Sequence, residues 1–551
     1  MSLTACGDQT AKESEIQAEM ETAPMETENS VASLENESES TDNNFTYVPY
    51  AYEQELNILD DNYRNYYEIF VYSFYDSDGD GIGDINGVTQ KLDYLQEMGF
   101  NGIWLMPIFS STTYHKYDVV DYYTIDKEYG TLEDFQNLIE ECHKRDIRII
   151  IDFVMNHSSS QNEWFIEACE YLRTLGEGEE PDLEECPYVD YYHFSNEQVN
   201  SDYYKVPGSD WYYEGVFWSE MPDLNLASQK IKDEMEQIAT YWIDMGIDGF
   251  RMDATIHFEE GDTKFNTETM KWFYDYCREL NPEFYMVSEV WASESTITNY
   301  YASETPSMFN FDVADSEGKL IKAARGKYKA ANFVSAMVQY QEDFSAVYEN
   351  YIDAPFITNH DTGRVANALR NDQDDMKMAC GLLMTMSGNP FVYYGEEIGM
   401  ASSGKKDENK RLAMIWSDTD KNGMTNGPKE ADKNISSAFA GVEQQLQDET
   451  SILNYYKRAI RLRNENPEIA RGIINLVESL CVDYQAVITK EYGDSMIAIA
   501  YNTSDEEIGI DLSETEVADM QIRGYLTVHG EEVLLENHIV HMPAQSICIL
   551  K

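Results

Sequence analysis

The chain has 551 residues, 42% hydrophobic and 26% charged, and its 102 acidic against 39 basic side chains give a formal net charge of −63. That length exceeds one small core and predicts two or three domains, while the negative field excludes nucleic acid and anionic lipid as ready partners. Aromatics reach 13%, with 40 Tyr, a richness that suits stacking surfaces as well as core packing.

Residues 1–44 are mostly Glu, Ser, Thr, Ala and Asn with one Lys, too little apolar material to offset the entropy of ordering. They read as a disordered acidic tether. Its start, LTACG (Leu3 to Gly7), resembles a bacterial lipoprotein cleavage box with Cys6 as the lipidated residue, the alternative being a chance match. The expectation is a cell-surface lipoprotein or secreted protein of a bacterium, touching a membrane only through that anchor. No apolar run is long enough to span a bilayer.

From about residue 65, short apolar runs alternate with amphipathic stretches: EIFVYSF (68–74), a helical GVTQKLDYLQEMG, GIWLMPIF (102–109), a helical TLEDFQNLIEECHKR, and IRIIIDFVMNH (147–157). This β-α-β-α-β rhythm predicts a parallel sheet with helices outside. It pauses over 158–222, where Tyr, Trp, Asp and Pro dominate, and resumes with SQKIKDEMEQIATYWIDMG, GIDGFRMDA, a helix near 268–280 and FYMVSEVW (284–291). MFNFDV (308–313), APFITNHD (354–361), a helix near 374–387, FVYYGEE (391–397) and a last helix in SILNYYKRAIRLRNENP follow. Eight strand-like runs are the number that closes a (β/α)₈ barrel. Beyond 468, SMIAIAYN, GYLTVHG and SICIL predict an antiparallel β-sandwich. The predicted architecture is thus an α/β (TIM) barrel over 45–157 and 223–467, an inserted domain over 158–222 after strand three, and a C-terminal β domain over 468–551.

The eight cysteines form no CxxC or Cys/His cluster, which excludes zinc and thioredoxin-like chemistry. Cys142, Cys277 and Cys380 fall in helical segments as expected buried thiols. Cys169 with Cys186 is the only local disulfide candidate.

In a barrel of this kind the chemistry lies at the C-terminal ends of the strands, and three acids end strands here: Asp253, Glu289 and Asp361. Singly, each has a plain structural reading, as partner of Arg251, helix cap or turn residue. Together, flanked by His157, Arg251 and His360, they read as one pocket of carboxylates.

At this point the sequence resembles the α-amylase family of glycoside hydrolases over nearly all of 65–551, through DFVMNH (152–157), GFRMDATIH (249–257), SEVW (288–291) and FITNHD (356–361) in the family's order. The resemblance implies Asp253 as nucleophile, Glu289 as general acid/base and Asp361 as transition-state stabiliser in retaining hydrolysis. Arg251, two residues before Asp253 on a strand, points to the same face and is expected to keep it ionised, whereas a neighbouring carboxylate raises Glu289. His157 and His360 are expected to donate to sugar hydroxyls. YHKY (114–117) resembles the family's loop after strand two, implying Tyr117 as stacking platform and His115 as its neighbour. His257 matches a leaving-group-side position where the family often has Lys just before it; Ile256 stands here. Ala254 resembles the α-1,4-acting members, and MPDLN (221–225) resembles a motif of the group between oligo-1,6-glucosidases and neopullulanases. Trp211, Tyr212, Tyr213, Phe217 and Trp218 either floor the cleft or pack the inserted domain.

DSDGDGIGD (76–84) places oxygens at positions 1, 3, 5 and 9, with a turn at Gly81, a spacing that wraps a hard cation such as Ca²⁺. Gly87 at position twelve excludes an EF-hand. The loop resembles the calcium loop of oligo-1,6-glucosidase-like members, which implies Asp76, Asp78, Asp80, Ile82 and Asp84 as ligands of a structural Ca²⁺. A second calcium site involving Asn156 stays open.

The expectation is a monomeric α-amylase acting on α-1,4-glucans and malto-oligosaccharides. An α-glucosidase, neopullulanase-like or transglycosylating enzyme is the near alternative. A glucan-binding protein without catalysis conflicts with the three acids, and a calcium-dependent adhesion module leaves the four strand-end motifs unexplained.

Overall fold

In the computed structural model, which describes residues 54–551, the apolar runs become the staves of a closed parallel barrel. The tether 1–44 and the Leu3–Gly7 motif lie outside the described residues. Strands Tyr66–Ile69, Gly102–Leu105, Arg148–Phe153, Gly249–Met252, Tyr285–Ser288 and Ser307–Met308 pair in chain order, and Phe391–Tyr393 returns beside the first. The seventh place is held by residues 354–356, through parallel bridges Phe309 to Ala354 and Phe356 to Phe391. This is a (β/α)₈ barrel.

Side chains alternate along each strand between the barrel interior and the helix layer. Tyr66, Trp104, Ile150, Tyr285, Val287, Phe309, Phe356 and Phe391 form one buried interior cluster. The intervening Tyr67, Ile103, Ile149, Ile151, Phe250 and Met286 join the larger core that includes the helices. Burial on both faces explains why the strands read as continuous apolar runs. Two residues beyond the interior apolar layer, the same rows carry Glu68, Asp152, Arg251 and Glu289. Position 249 in the interior row requires glycine, because a Cβ there would lie 2.2 Å from the Tyr285 carbonyl oxygen.

Local signals set the surrounding helices. Leu132–His143 starts at a capping box between Thr131 and Asp134, which satisfies two end N–H groups at once. Gln229–Met245 starts at Ser228 and stops at Gly246, whose φ of 110° is the left-handed turn glycine adopts without strain.

The insertion after the third strand holds a helix, Glu163–Leu172, and a small antiparallel sheet of 194–195, 203–205 and 212–214. The candidate Cys169–Cys186 disulfide does not form: both are free and buried. Cys169 packs into the main core, while Cys186 packs against Ala168 and Leu172 in a separate cluster, so the two thiols serve different packing faces. Cys142, Cys277 and Cys380 are free and buried.

The C-terminal region is a β-sandwich. Its five-stranded sheet runs in the order 473–476, 485–492, 495–502, 546–550, 522–527, and faces a three-stranded sheet of 508–511, 539–542 and 534–536. Val487, Ala498, Ala500, Cys548 and Leu550 turn toward the smaller sheet's Ile510, Val540 and Met542. The alternate residues Ile488, Ile497, Ile499, Ile547 and Ile549 join the core shared with the barrel's helices.

Candidate active site

The interior row of each strand changes from apolar to charged as it reaches the mouth, and the charges there are arranged around one guanidinium. Arg251 Nη1 donates to Asp253 Oδ1 at 2.6 Å and to Asp152 Oδ1 at 2.9 Å, while its Nη2 lies 3.1 Å from Glu289 Oε2. All four side chains are buried, and the cation lies 5.1 Å from the Trp104 ring centroid. One positive charge thus serves three carboxylates from three neighbouring strands, which fixes Asp253 and Glu289 relative to each other.

Burial pushes the Asp253 carboxyl up from its ordinary value and Arg251 opposes that rise. Burial likewise raises Glu289; Arg251 opposes the rise and the charges of Asp253 and Asp361 add to it. Asp361 goes the other way: burial is outweighed by His360, Arg411 and Arg251, which hold it well below the usual carboxylate range. Asp361 is therefore set apart as the ionised acid, while Asp253 and Glu289 are both raised by burial around one shared cation.

Ala254, next to Asp253, has φ 51° and ψ 36°, a left-handed conformation that costs a non-glycine residue about 1–3 kcal/mol. That bend aims its N–H at Glu289 Oε2, 3.0 Å away. The strain is offset by the bond that ties the fourth strand's end to the fifth's.

A cavity of about 390 Å³ opens onto these groups, lined by Asp253, Glu289 and Asp361 with His115, Tyr117, His157 and His257. Arg251 and His360 lie behind this lining, 1% and 0% exposed. Tyr117 stacks on the His360 ring with centroids 5.7 Å apart, and its hydroxyl donates to Asp152 Oδ2 at 3.2 Å. His115 Nδ1 accepts from the Tyr117 N–H, which leaves its proton on Nε2. His157 Nε2 is buried and has no protein partner, so a hydroxylated ligand would complete it. Burial lowers both histidines to about 4, so both are neutral at neutral pH. His257 Nδ1 pairs with Glu260.

The inserted aromatics divide by task. Tyr213 packs on Phe165 inside the insertion, and Trp211 is half-buried against the core. Phe217 lines the cavity between His157 and His257, with ring centroids 5.2 and 5.1 Å away.

Sequence reasoning missed Trp291, Asp407, Lys410 and Arg411 in the lining, and Glu68 and Asp152 behind it. Trp291 is half-exposed and stacks on Phe311. Arg411 Nη2 donates to Asp361 Oδ1 at 2.8 Å, and Lys410 Nζ to the Asp361 carbonyl at 2.7 Å. Both cations come from the irregular stretch after the eighth strand, where no periodicity marks them. Glu68 and Asp152 did carry a signal, as acids inside apolar strands.

In the acidic loop, carboxylate oxygens of Asp76, Asp78 and Asp84 lie within 4.8 Å of one another. Asp80 is outside that group; its Oδ1 accepts from the Ile82 N–H at 2.7 Å. Asp76 accepts from Gly79 N and Gly81 N, and Asp84 from Gly87 N, so the backbone itself folds the loop around its acids. The oxygen-only donor set fits a hard divalent cation.

A barrel with carboxylates at its mouth, an insertion after the third strand and a C-terminal β-sandwich defines a glycoside-hydrolase architecture. Residues 68–472 match the alpha amylase catalytic domain family, and the chain belongs to that family. Alpha-amylase 3 of Dictyoglomus thermophilum is 38% identical over 422 residues, 76% of this chain and 80% of that protein. The solved structure of Eubacterium rectale Amy13B superposes with a TM-score of 0.88 at 41% identity, covering 92% of this chain and 99% of that one. The 4-alpha-glucanotransferase of Thermotoga maritima is 29% identical over 466 residues, 80% of this chain and 96% of that protein. The protein is a hydrolase of the α-amylase family.

Proposed function

We propose that the protein hydrolyses α-1,4-glucosidic bonds of starch-like glucans and malto-oligosaccharides with retention of configuration. The observation that carries this reading is the Arg251 guanidinium shared between Asp253 and Glu289, beside an Asp361 held ionised. Glu289, raised by burial and like charge, gives its proton to the leaving oxygen. Asp253 attacks the anomeric carbon and forms a glycosyl ester. Water then enters, Glu289 takes its proton, and the sugar leaves as the α anomer. Asp361 faces the positive charge that develops on the ring, the Nε2–H group of His115 donates to a sugar hydroxyl, and the unpartnered Nε2 of His157 hydrogen-bonds to another. The Tyr117 ring offers its face to the apolar side of the pyranose.

The name of the Thermotoga maritima relative supports transglycosylation as a second reading, in which an acceptor sugar replaces water in the second step. A structural Ca²⁺ ion belongs to the proposal, and Asp76, Asp78, Asp84 and the Ile82 carbonyl are the groups that would hold it. When bound it neutralises converging acids and takes no part in bond cleavage. Anchorage outside a bacterial cell through Cys6 and a monomeric state complete it, tested by lipid labelling of a Cys6→Ala variant and by light scattering.

The deciding experiment is a product time course on amylose, with maltose, isomaltose and pullulan in parallel and the new anomer read by NMR. Mixed malto-oligosaccharides of α configuration are expected. Glucose alone, or turnover of isomaltose or pullulan only, moves the assignment to the glucosidase or neopullulanase branch. Products longer than the substrate favour transfer, and no product from any of them removes the hydrolytic reading.

A further inference from the structure

Glu68, at the end of the first strand, is 1% exposed, and among the described residues its carboxylate hydrogen-bonds to one residue only. Its Oε1 accepts from His360 N at 3.3 Å and lies 2.6 Å from His360 Nδ1. On the far side of the ring, Nε2 lies 2.7 Å from the Tyr117 hydroxyl and 3.0 Å from Asp361 Oδ2. These contacts determine where the protons are. Glu68 Oε1 already accepts the His360 backbone N–H, and as a carboxylate oxygen it can only accept from Nδ1 as well, which places a hydrogen on Nδ1. Asp361 Oδ2, a carboxylate oxygen that only accepts, lies 3.0 Å from Nε2 and draws a hydrogen there, and the Tyr117 hydroxyl that donates to Asp152 offers Nε2 a second acceptor. A ring that donates at both nitrogens is an imidazolium.

We propose that Glu68 is a positioning residue that keeps His360 doubly protonated, so that His360 in turn holds Asp361 ionised and aimed into the cavity. This rests on the reading of Asp361 as the group that faces developing positive charge. The groups facing His360 are Glu68 from the first strand, Tyr117 from the loop after the second and Asp361 beside it. Asp152 and Arg251 stand further in, the Trp104 ring meets its edge at 5.6 Å, and Arg411 Nε reaches its carbonyl at 3.2 Å. Burial alone lowers an imidazole, yet Asp361 and Glu68 together lift His360 to about 9. The sequence EIF at 68–70 thus contributes a buried anion whose charge is used two contacts away, through an aromatic cation.

The test is Glu68→Gln, which keeps shape and one acceptor and removes the charge. Two readouts are taken on the full chain: ¹⁵N signals of the His360 ring, assigned by a His360→Gln variant, and the pH profile of kcat/KM on a malto-oligosaccharide. In the unaltered protein both His360 nitrogens are expected to be protonated at pH 7.5. In Glu68→Gln the ring pKa and the alkaline limb of the profile are expected to move down together by about one unit or more, with the thermal midpoint at pH 5.5 within a few degrees. A neutral His360 in the unaltered protein, or an alkaline limb that stays in place in the variant, overturns the proposal. If Glu68→Gln fails to fold, the ring signals of the unaltered protein decide alone. Absence of turnover on every α-glucan, with the imidazolium present, refutes the hydrolytic reading and leaves the Glu68–His360 assignment standing.

Discussion

Replacing Arg251 by Met removes the one cation that bonds Asp152 and Asp253 and lies 3.1 Å from Glu289, while keeping a side chain of similar length. Breaking a buried ion pair by removing one partner costs about 3–5 kcal/mol; with three carboxylates stranded, the upper figure applies, about 5 kcal/mol at neutral pH. The cost has a predictable pH dependence. Without Arg251 the folded-state pKa values of these acids rise further above their unfolded values of 3.8–4.5, so the folded variant binds more protons than the unfolded chain. Stability of the variant is then greatest at low pH and falls as pH rises through the new folded pKa values, by about 1.4 kcal/mol per unit per carboxyl. Urea unfolding of both proteins at pH 4.5, 6 and 8 measures this. The gap is expected to be small at pH 4.5 and to widen steadily to pH 8, with turnover lost because Asp253 is protonated. A gap that is constant across pH would show that Arg251 acts through packing alone and refute the shared-cation account.

Three further outcomes follow from the same geometry. Asp253→Asn and Glu289→Gln each lower kcat by about 10⁴-fold or more while the unfolding midpoint is kept, and Glu289→Gln retains a burst with a glycosyl fluoride, whose leaving group needs no proton. For His360, folded at about 9 against an unfolded value near 6.5, the stabilisation is complete below pH 6.5 and lost as pH rises through 9. It amounts to about 3 kcal/mol, and His360→Gln should flatten the unfolding profile over that interval. Chelation of divalent cations should lower the unfolding midpoint, with about 3 kcal/mol regained at a hundredfold excess of Ca²⁺ over its Kd. Asp76→Asn should abolish that response, and an unchanged midpoint on chelation would remove the metal reading.

The parts of the fold that alternate with fixed period were legible from sequence. Each barrel strand announced itself as an apolar run, and the acids that end them, Asp253 and Glu289, stood out because charge inside such a run needs a partner. Asp361 was placed by FITNHD, although its strand is reduced to bridges at Ala354 and Phe356. The hairpin of Phe109–Ser111 with Val119–Ile125 was not marked off, since its register is irregular and Tyr and Asp interrupt the alternation. Arg411 and Lys410 carry no local pattern: their place is fixed by hydrogen bonds to Asp361, Ser73 and Arg364, far away in sequence. The sequence could do no more than name Cys169 and Cys186 as a candidate pair, because spacing along the chain says nothing about which packing face a thiol turns toward.

The five-stranded sheet of the C-terminal sandwich has one consequence for how the molecule is made. Ser546–Leu550 pairs on one side with 495–502 and on the other with 522–527, so the last-synthesised of these strands occupies an interior place. Its Ile547 and Ile549 also seal a face that includes the helix Gln373–Thr385 in the same core. A ribosome-bound chain therefore holds the barrel's flank unsealed until residue 550 has emerged. Until then that apolar surface stays open, and truncation before residue 546 is expected to reduce the yield of soluble protein far more than the loss of five side chains suggests.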